Sequence, residues 1–458
     1  MDNASAFPTK AFFTGMLTRD IETSDAILDL IDNCIDGIVR LAGSNEVSYK
    51  DFSISIEINE NNFKITDNCG GIPREIAENY AFRFGRPSDY PDALENKRTV
   101  GVYGIGMKRA IFKMGHSGKV STLNDGDCYS VEIPSGWFED DNSWELPITN
   151  ECLIKHDGTS IVVEQLHRGI VSQFADPSFI EDLQDKVSIT YAVMLGKGLE
   201  ISLNSETIRG KPIRLLFSSD RQGIDPYLYT LEEDGVSVKL AVGFYTSPPT
   251  QEQQDAESEE ARLSENAGWT IICNDRVVVY NDKTRLTGWG EAKVPNFHTQ
   301  FINIAGVVLF YSSDAQKLPM TTTKRGIDAS SELYLRVKDF MREGLKMFTS
   351  FTNQWKTERD KGAQVISGST ALEVDSYFKT VDPIHLGEGW KKTRGSEGGF
   401  KKVPELPHPT RKSDDRWIRF IKPYYEIEEL SKYLFDDLAT PAEVGEAAFD
   451  RLLQDIKK

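Results

Sequence analysis

Asp25, Asp29, Asp32 and Asp36 recur along SDAILDLIDNCIDGI, with Asn33 among them. At 3.6 residues per turn this spacing stacks them on one side of a helix, while Ile27, Ile31, Ile35 and Ile38 form an apolar stripe on another. On a single helix such a polar face is most often solvated. Asp and Asn are nonetheless poor helix formers, and exposed positions usually carry Glu, Lys or Gln. Carboxylates beside an amide are the hard oxygen ligands that Mg²⁺ prefers, with phosphate oxygens completing its shell.

Three further stretches could do chemistry. In ITDNCGGIP (65–73), Asp67 precedes Gly70-Gly71, and adjacent glycines supply the positive φ that a tight turn needs. In TVGVYGIGMKRA (99–110), Gly101, Gly104 and Gly106 precede a helix-forming run. Backbone amides and a positive helix end there could cradle phosphate, with Lys108 adding a full charge. The spacing matches neither the Walker nor the Rossmann glycine pattern. In HDGTSIVVE, Gly158-Thr159 opens a strand. Taken singly, each of the three is an ordinary turn or glycine loop.

The elements that must hold these residues follow from periodicity. Residues 21–40 are expected to be helical, 52–66 a strand hairpin and 107–114 a short helix, with DCYSVEIP and TSIVVEQL as strands. That is a mixed α+β layer. A capped helix is expected from Asp176-Pro177-Ser178 through YAVML, ended by Gly196 and Gly198. Strands then follow at LEISLNSETI, VSVKLAVGFY, WTIICNDRVVVY and INIAGVVLFY, with a polar, mobile loop at 250–265. SSELYLRVKDFMREGLKMF reads as an amphipathic helix burying Val337, Met341, Leu345 and Phe348. Residues 385–412 read as a linker or flexible arm, and 425–458 as a helical pair.

A chain of 458 residues is long enough for two or three domains. Its longest apolar stretch, INIAGVVLFY, is too short to span a bilayer. MDNASAFPTK lacks the basic-then-apolar order of a signal peptide. Five cysteines without a CxxC pair argue against a disulfide framework or a zinc site, so a reducing cytoplasm is expected. The net charge of −18 disfavours nonspecific nucleic-acid binding by the whole surface. Residues 391–412 run against that trend, with seven basic residues opposing Glu397 and Glu405, net +5.

Together and in this order, the four stretches resemble the motifs of the Bergerat-fold (GHKL) ATPases, the superfamily of gyrase B, Hsp90, histidine kinases and MutL. Asp29 to Gly37 is similar to its E-L-x-[DE]-N-[SA]-x-D-A motif, Asp67 to Ile72 to D-N-G-x-G-I, Val100 to Lys108 to the glycine loop, and Gly158 to Ile161 to G-T-x-[IV]. The wording is nearest to the MORC, MutL and Hsp90 side, and the resemblance covers residues 10–170. It implies an α+β fold: a Bergerat ATPase sandwich of helices on a mixed sheet (1–170), a ribosomal-S5-like transducer domain (171–350), and a C-terminal helical region with the basic flexible arm (351–458).

The resemblance also implies roles. Asn33 would hold Mg²⁺ and through it the triphosphate. Asp67 would accept the adenine amino proton, with Thr159 assisting and Gly71 admitting the base. Gly101, Tyr103, Gly104, Ile105, Gly106, Met107 and Lys108 would surround the phosphates, under a mobile lid at 76–104. The general base, a Glu in the family, is Asp29 here, one methylene shorter, which implies slow hydrolysis. Cys69 stands where the family keeps a glycine, and strain is expected if that position needs positive φ. From the transducer, Lys324 in LPMTTTKRGID would reach the γ-phosphate, with Lys317 as the alternative.

The expected function is an ATP-driven conformational switch that dimerises on ATP and acts on DNA or a partner protein. The alternatives are a nucleotide-gated binding module with negligible turnover, and an ATPase subunit of a larger topoisomerase-like or defence complex. A histidine kinase is disfavoured, because all six histidines follow the first two motifs.

Overall fold

The computed structural model describes residues 9–43, 47–83, 105–140, 143–218, 223–246, 266–356, 359–366, 368–380, 389–393, 398–409, 421–435 and 439–457. Two compact units are formed, Met1–His408 and Pro409–Lys458. The loop expected at 250–265 and most of the expected lid lie outside the described residues.

After α1 (Lys10–Arg19), the apolar stripe of the acidic segment builds the first layer. Helix α2 (Thr23–Ala42) buries Ile27, Leu30, Ile31, Ile35 and Ile38 against Ile54, Ile56, Phe63 and Ile65. Each such side chain contributes about 1.5–3 kcal/mol. The strand residues belong to β1 (Ser53–Ile58) and β2 (Asn62–Asp67), an antiparallel hairpin that pairs Ile56 with Ile65. Asn59 closes it by accepting from the backbone nitrogens of Asn61 and Asn62.

The hairpin sits inside an eight-stranded sheet with β3 (Gly115–Asn124), β4 (Asp127–Ile133), β5 (Ile148–Thr149), β6 (Gly158–Leu166), β7 (Glu200–Leu203) and β8 (Glu206–Ile208). Its order is β5-β4-β3-β6-β2-β1-β7-β8, antiparallel except between β1 and β7. Helix α3 (Gly106–Met114) follows the glycine loop and packs on α2. Helix α4 (Pro177–Thr190) starts as the sequence implies, Asp176 accepting from the Ser178 nitrogen with Pro177 in the first turn.

A second, seven-stranded sheet is built on another core. It contains β10 (Tyr227–Glu233), β11 (Val236–Phe244), β12 (Gly268–Cys273), β13 (Arg276–Asp282) and β14 (Ile304–Ser312), while β9 (Arg214–Ser218) pairs separately with β15 (Ser369–Glu373). Helix α5 (Glu332–Gln354) covers it, burying Val337, Met341, Leu345 and Phe348 as the spacing predicts.

Two expectations are corrected. The stretch read as a linker or flexible arm supplies two short strands, β16 (Trp390–Lys392) and β17 (Phe400–Lys402), at the edge of the second sheet. Strand β17 pairs with β10 and β16 with β17, and Lys401 is held by Glu343 of α5 at 2.6 Å. The reading against disulfides also fails at one pair, because Cys128 and Cys152 form a disulfide. The β4–β5 register, Ser130 opposite Thr149, carries Cys152 alongside Cys128 with Cα atoms 5.7 Å apart. Cysteine usage therefore gives no ground for a reducing compartment.

Among the described residues no helix is long and apolar enough to cross a membrane. In the C-terminal unit, α6 (Tyr424–Leu434) and α7 (Pro441–Ile456) form the expected helical pair. Helix α7 opens on a Thr440–Glu443 capping box.

Candidate functional site

Strand register assembles one end of the site. In the β3–β6–β2 ladder, Thr122 lies opposite Thr159, and the β2–β6 register carries Asp67 to the same level. Asp67 Oδ1 accepts from the backbone nitrogens of Cys69 (2.7 Å) and Thr159 (3.3 Å), and the hydroxyls of Thr122 and Thr159 stand 3.4 Å apart. Burial pushes the Asp67 carboxyl above its ordinary range, against the pull of the Cys69 and Thr159 amides, the Cys34 thiol and the Arg40 charge. The turn beyond it is laced on every side. Asn124 donates to the Gly70 carbonyl, Arg40 to that of Gly71 and Tyr129 to that of Ile72, while Thr122 accepts from the Ile72 nitrogen.

Gly71 cannot be replaced without movement: its φ is +65° and an added Cβ would fall 2.1 Å from the Leu123 carbonyl oxygen. Cys69 carries no such strain, because the positive φ values of this turn belong to Gly70 and Gly71. Its buried side chain lies against α2 where Gly37 leaves room. A Cβ on Gly37 would meet the Cys69 carbonyl oxygen at 2.4 Å and its Cβ at 3.2 Å.

The second end of the site is the carboxylate face of α2. It is not solvated: Asp25, Asp29, Asp32 and Asp36 are all buried. Asp25 pairs with Lys186 (2.7 Å) and Arg325 (2.8 Å), and Asp29 with Arg109 of α3. Asp32 takes Arg276 (3.0 Å), Lys324 (2.9 Å) and the hydroxyl of Tyr191 (2.9 Å). Burial alone would raise the Asp32 carboxyl, but the charges of Arg276 and Lys324 hold it below the ordinary value. Gly106, the first residue of α3, lies close to Asp29, at a spot where a Cβ would be 3.3 Å from the Asp29 Cβ.

Asn33 is half-buried between the two ends, next to Cys34. Its amide nitrogen is buried and has no hydrogen-bond partner among the described residues. Because amide oxygen and nitrogen are interchangeable by a flip, this group fits an oxygen-seeking cation. No cluster of three His, Cys, Asp or Glu side chains that could hold a metal occurs among the described residues.

Lys108 is buried on α3 and donates to the Ala81 carbonyl at 2.7 Å, in a helical turn within the expected lid. Burial lowers its pKa to about 7. Ile105 and Met107 flank Gly106 at the start of α3, whereas Gly101, Tyr103 and Gly104 lie outside the described residues.

Residues 21–167 match the family described as histidine kinase-, DNA gyrase B-, and HSP90-like ATPase. They form a GHKL-type ATPase domain. ATP binding belongs to this domain, and its boundaries enclose α2, the β2 turn, α3 and the β6 entry. No curated protein matches the chain. Of the two lysines proposed to reach the γ-phosphate, Lys324 docks on α2, whereas Lys317 donates to the Asp234 carbonyl on the β10–β11 turn. Sequence reasoning missed the cations Arg109, Lys186, Arg276 and Arg325 that hold the α2 face. Arg109 and Arg325 directly follow Lys108 and Lys324, and Arg276 ends the ICNDR run at the β12–β13 turn.

Proposed function

We propose that this protein is a Mg²⁺-dependent ATPase working as a nucleotide-driven conformational switch of the MORC, MutL and Hsp90 kind. The observation that carries the reading is the grip on Asp32 of the motif-bearing helix by Arg276, from β13 of the second sheet, and Lys324, from the loop that follows β14. A change at the nucleotide is felt in the second core through that grip. In this reading Asp67 accepts the adenine amino proton with Thr159 beside it, Gly71 lets the base approach, and Asn33 holds Mg²⁺. The bound ion would offset charge on the triphosphate. Gly101, Gly104 and Gly106 wrap the phosphates with Tyr103, Ile105 and Met107 around them, and Lys108 meets a phosphate oxygen.

Asp29 is the general base. Its pairing with Arg109 and its short side chain favour slow turnover, since a misplacement of about 1 Å costs on the order of 10²-fold. Lys324 faces the γ-phosphate. Closure on ATP would bring two copies together in the cytoplasm to act on DNA or a protein partner. The test is Mg-ATP turnover by the full chain, with Asn33→Ala expected to abolish it. Tight ATP binding without any turnover would leave a nucleotide-gated binding module, and absence of ATP binding would refute the reading altogether.

A further inference from the structure

Arg276 does more than neutralise a carboxylate. It opens β13 after a tight turn in which Asn274 and Asp275 both have positive φ (47° and 67°), the pattern of a two-residue hairpin that fixes the direction of the next side chain. Its Nε donates to Asp32 Oδ1 at 3.0 Å, while Nη1 donates to the backbone carbonyl of Lys324 at 2.6 Å. Lys324 itself sits at φ +58°, a conformation a side-chain-bearing residue holds only when its surroundings impose it. The loop around it closes through Thr321 to Gly326 (3.0 Å) and Lys324 to Thr321 (2.8 Å) backbone bonds.

The cluster is dry: Asp32 is 0% exposed, Arg276 3% and Lys324 8%. It is also rich in positive charge. Two cations share the Asp32 carboxylate, with Asp29 as a second carboxylate acting on Arg276, and an anion arriving at the α2 face would be drawn to them.

We infer that Arg276 is a positioning residue that presents Lys324 to the terminal phosphate, with one arm fixing the lysine's backbone and the other fixing the carboxylate against which its ammonium rests. This rests on the ATPase reading above. A planar fork can hold both partners at once; a lysine at 276 reaches only one of them.

The test is calorimetric titration of the full chain with Mg²⁺ and either a non-hydrolysable ATP analogue or ADP. Wild type is expected to prefer the triphosphate, and Arg276→Lys to lose roughly 10- to 100-fold of that preference, the range of a charged hydrogen bond. ADP affinity should stay within about twofold, because Asp67 and its turn are untouched. Lys324→Ala should lose the same preference, and adding Arg276→Lys to it should change nothing further.

An unchanged preference in Arg276→Lys, an equal loss for both nucleotides, or additive losses in the double variant would overturn the inference while leaving ATP binding intact. A wild-type chain that binds neither nucleotide overturns the ATPase reading, and this inference falls with it. Should Arg276→Lys fail to fold, Tyr191→Phe loosens the same carboxylate without unpairing a charge. A reduced triphosphate preference then supports the inference and an unchanged one overturns it.

Discussion

Replacing Asp32 with Asn keeps the shape of the side chain and removes the carboxylate that Arg276 and Lys324 share. Arg276 and Lys324 are then left facing each other across a neutral amide, and an amide cannot accept from the Arg276, Lys324 and Tyr191 donors as the carboxylate does. Removing one partner of a buried ion pair costs about 3–5 kcal/mol, a large part of the roughly 5–15 kcal/mol that holds a protein folded. For a cooperative unit the size of Met1–His408, unfolding entropy scales with length, so this corresponds to a drop in Tm of roughly 4–6 °C.

The pH dependence sharpens the test. The folded carboxyl lies below its ordinary value of 3.8. Its contribution is therefore fully present above that ordinary value and is lost as pH falls through the depressed one. The gap between wild type and Asp32→Asn should be widest near neutrality and should close in strong acid. Differential scanning calorimetry from neutral pH to about pH 3 measures it. A Tm within about 1 °C of wild type at neutral pH, or a gap that widens on acidification, refutes the reasoning.

Four further outcomes are expected. Asp29→Asn should lower kcat by roughly 10²- to 10⁴-fold, the span of a general base, with little change in KM; a variant keeping a third of the wild-type rate assigns the base elsewhere. ATP affinity should weaken on acidification at a pH above the usual aspartate value of 3.8, because the Asp67 carboxyl is raised by burial and a protonated oxygen no longer accepts. Titration at stepped pH reads this directly. Lys108, lowered to about 7, should regain its proton when a phosphate arrives, so binding near pH 8 should take up protons. Calorimetry in buffers of differing ionisation enthalpy detects that uptake, and buffer-independent heats count against contact with phosphate. Gly37→Ala drives a methyl to 2.4 Å from the Cys69 carbonyl, which should destabilise by about 1–3 kcal/mol in urea unfolding and loosen ATP binding through the motif-two turn.

Much of the ATPase domain was legible because its elements obey short-range rules. The α2 stripe, the Asn-turned hairpin and the Asp176 cap each follow from neighbours within a few residues. Strand β3 was not legible, since GHSGKVSTLN is polar and glycine-rich. Its glycines are there for close packing: a Cβ on Gly115 would fall 2.5 Å from the Glu164 carbonyl oxygen, a contact only the folded sheet creates. The edge hairpin of β16 and β17 was hidden for a related reason. Lys391, Lys392, Lys401 and Lys402 read as solvent-loving charge, yet an edge strand needs only backbone pairing and tolerates lysine.

At the site, motif order singled out Asp29, Asn33, Asp67 and Thr159 as candidates, but not the state of the acidic face. One helix viewed alone looks solvated; its counterions come from residues as distant as Arg276 and Lys324. The Cys128–Cys152 bridge was equally out of reach, because it depends on the register of β4 against β5.

The counterions of α2 also decide how the ATPase domain can be handled as a part. The family match ends at residue 167, yet Lys186, Arg276, Lys324 and Arg325, which neutralise Asp25 and Asp32, all come later in the chain. A fragment cut at that boundary, or transplanted into another scaffold, would carry its carboxylates without their cations. They would repel along α2, and the helix that bears Asp29 and Asn33 would have to open towards water. This segment is not a portable cassette: its charge balance depends on a helix, a strand and a loop that follow it in the chain.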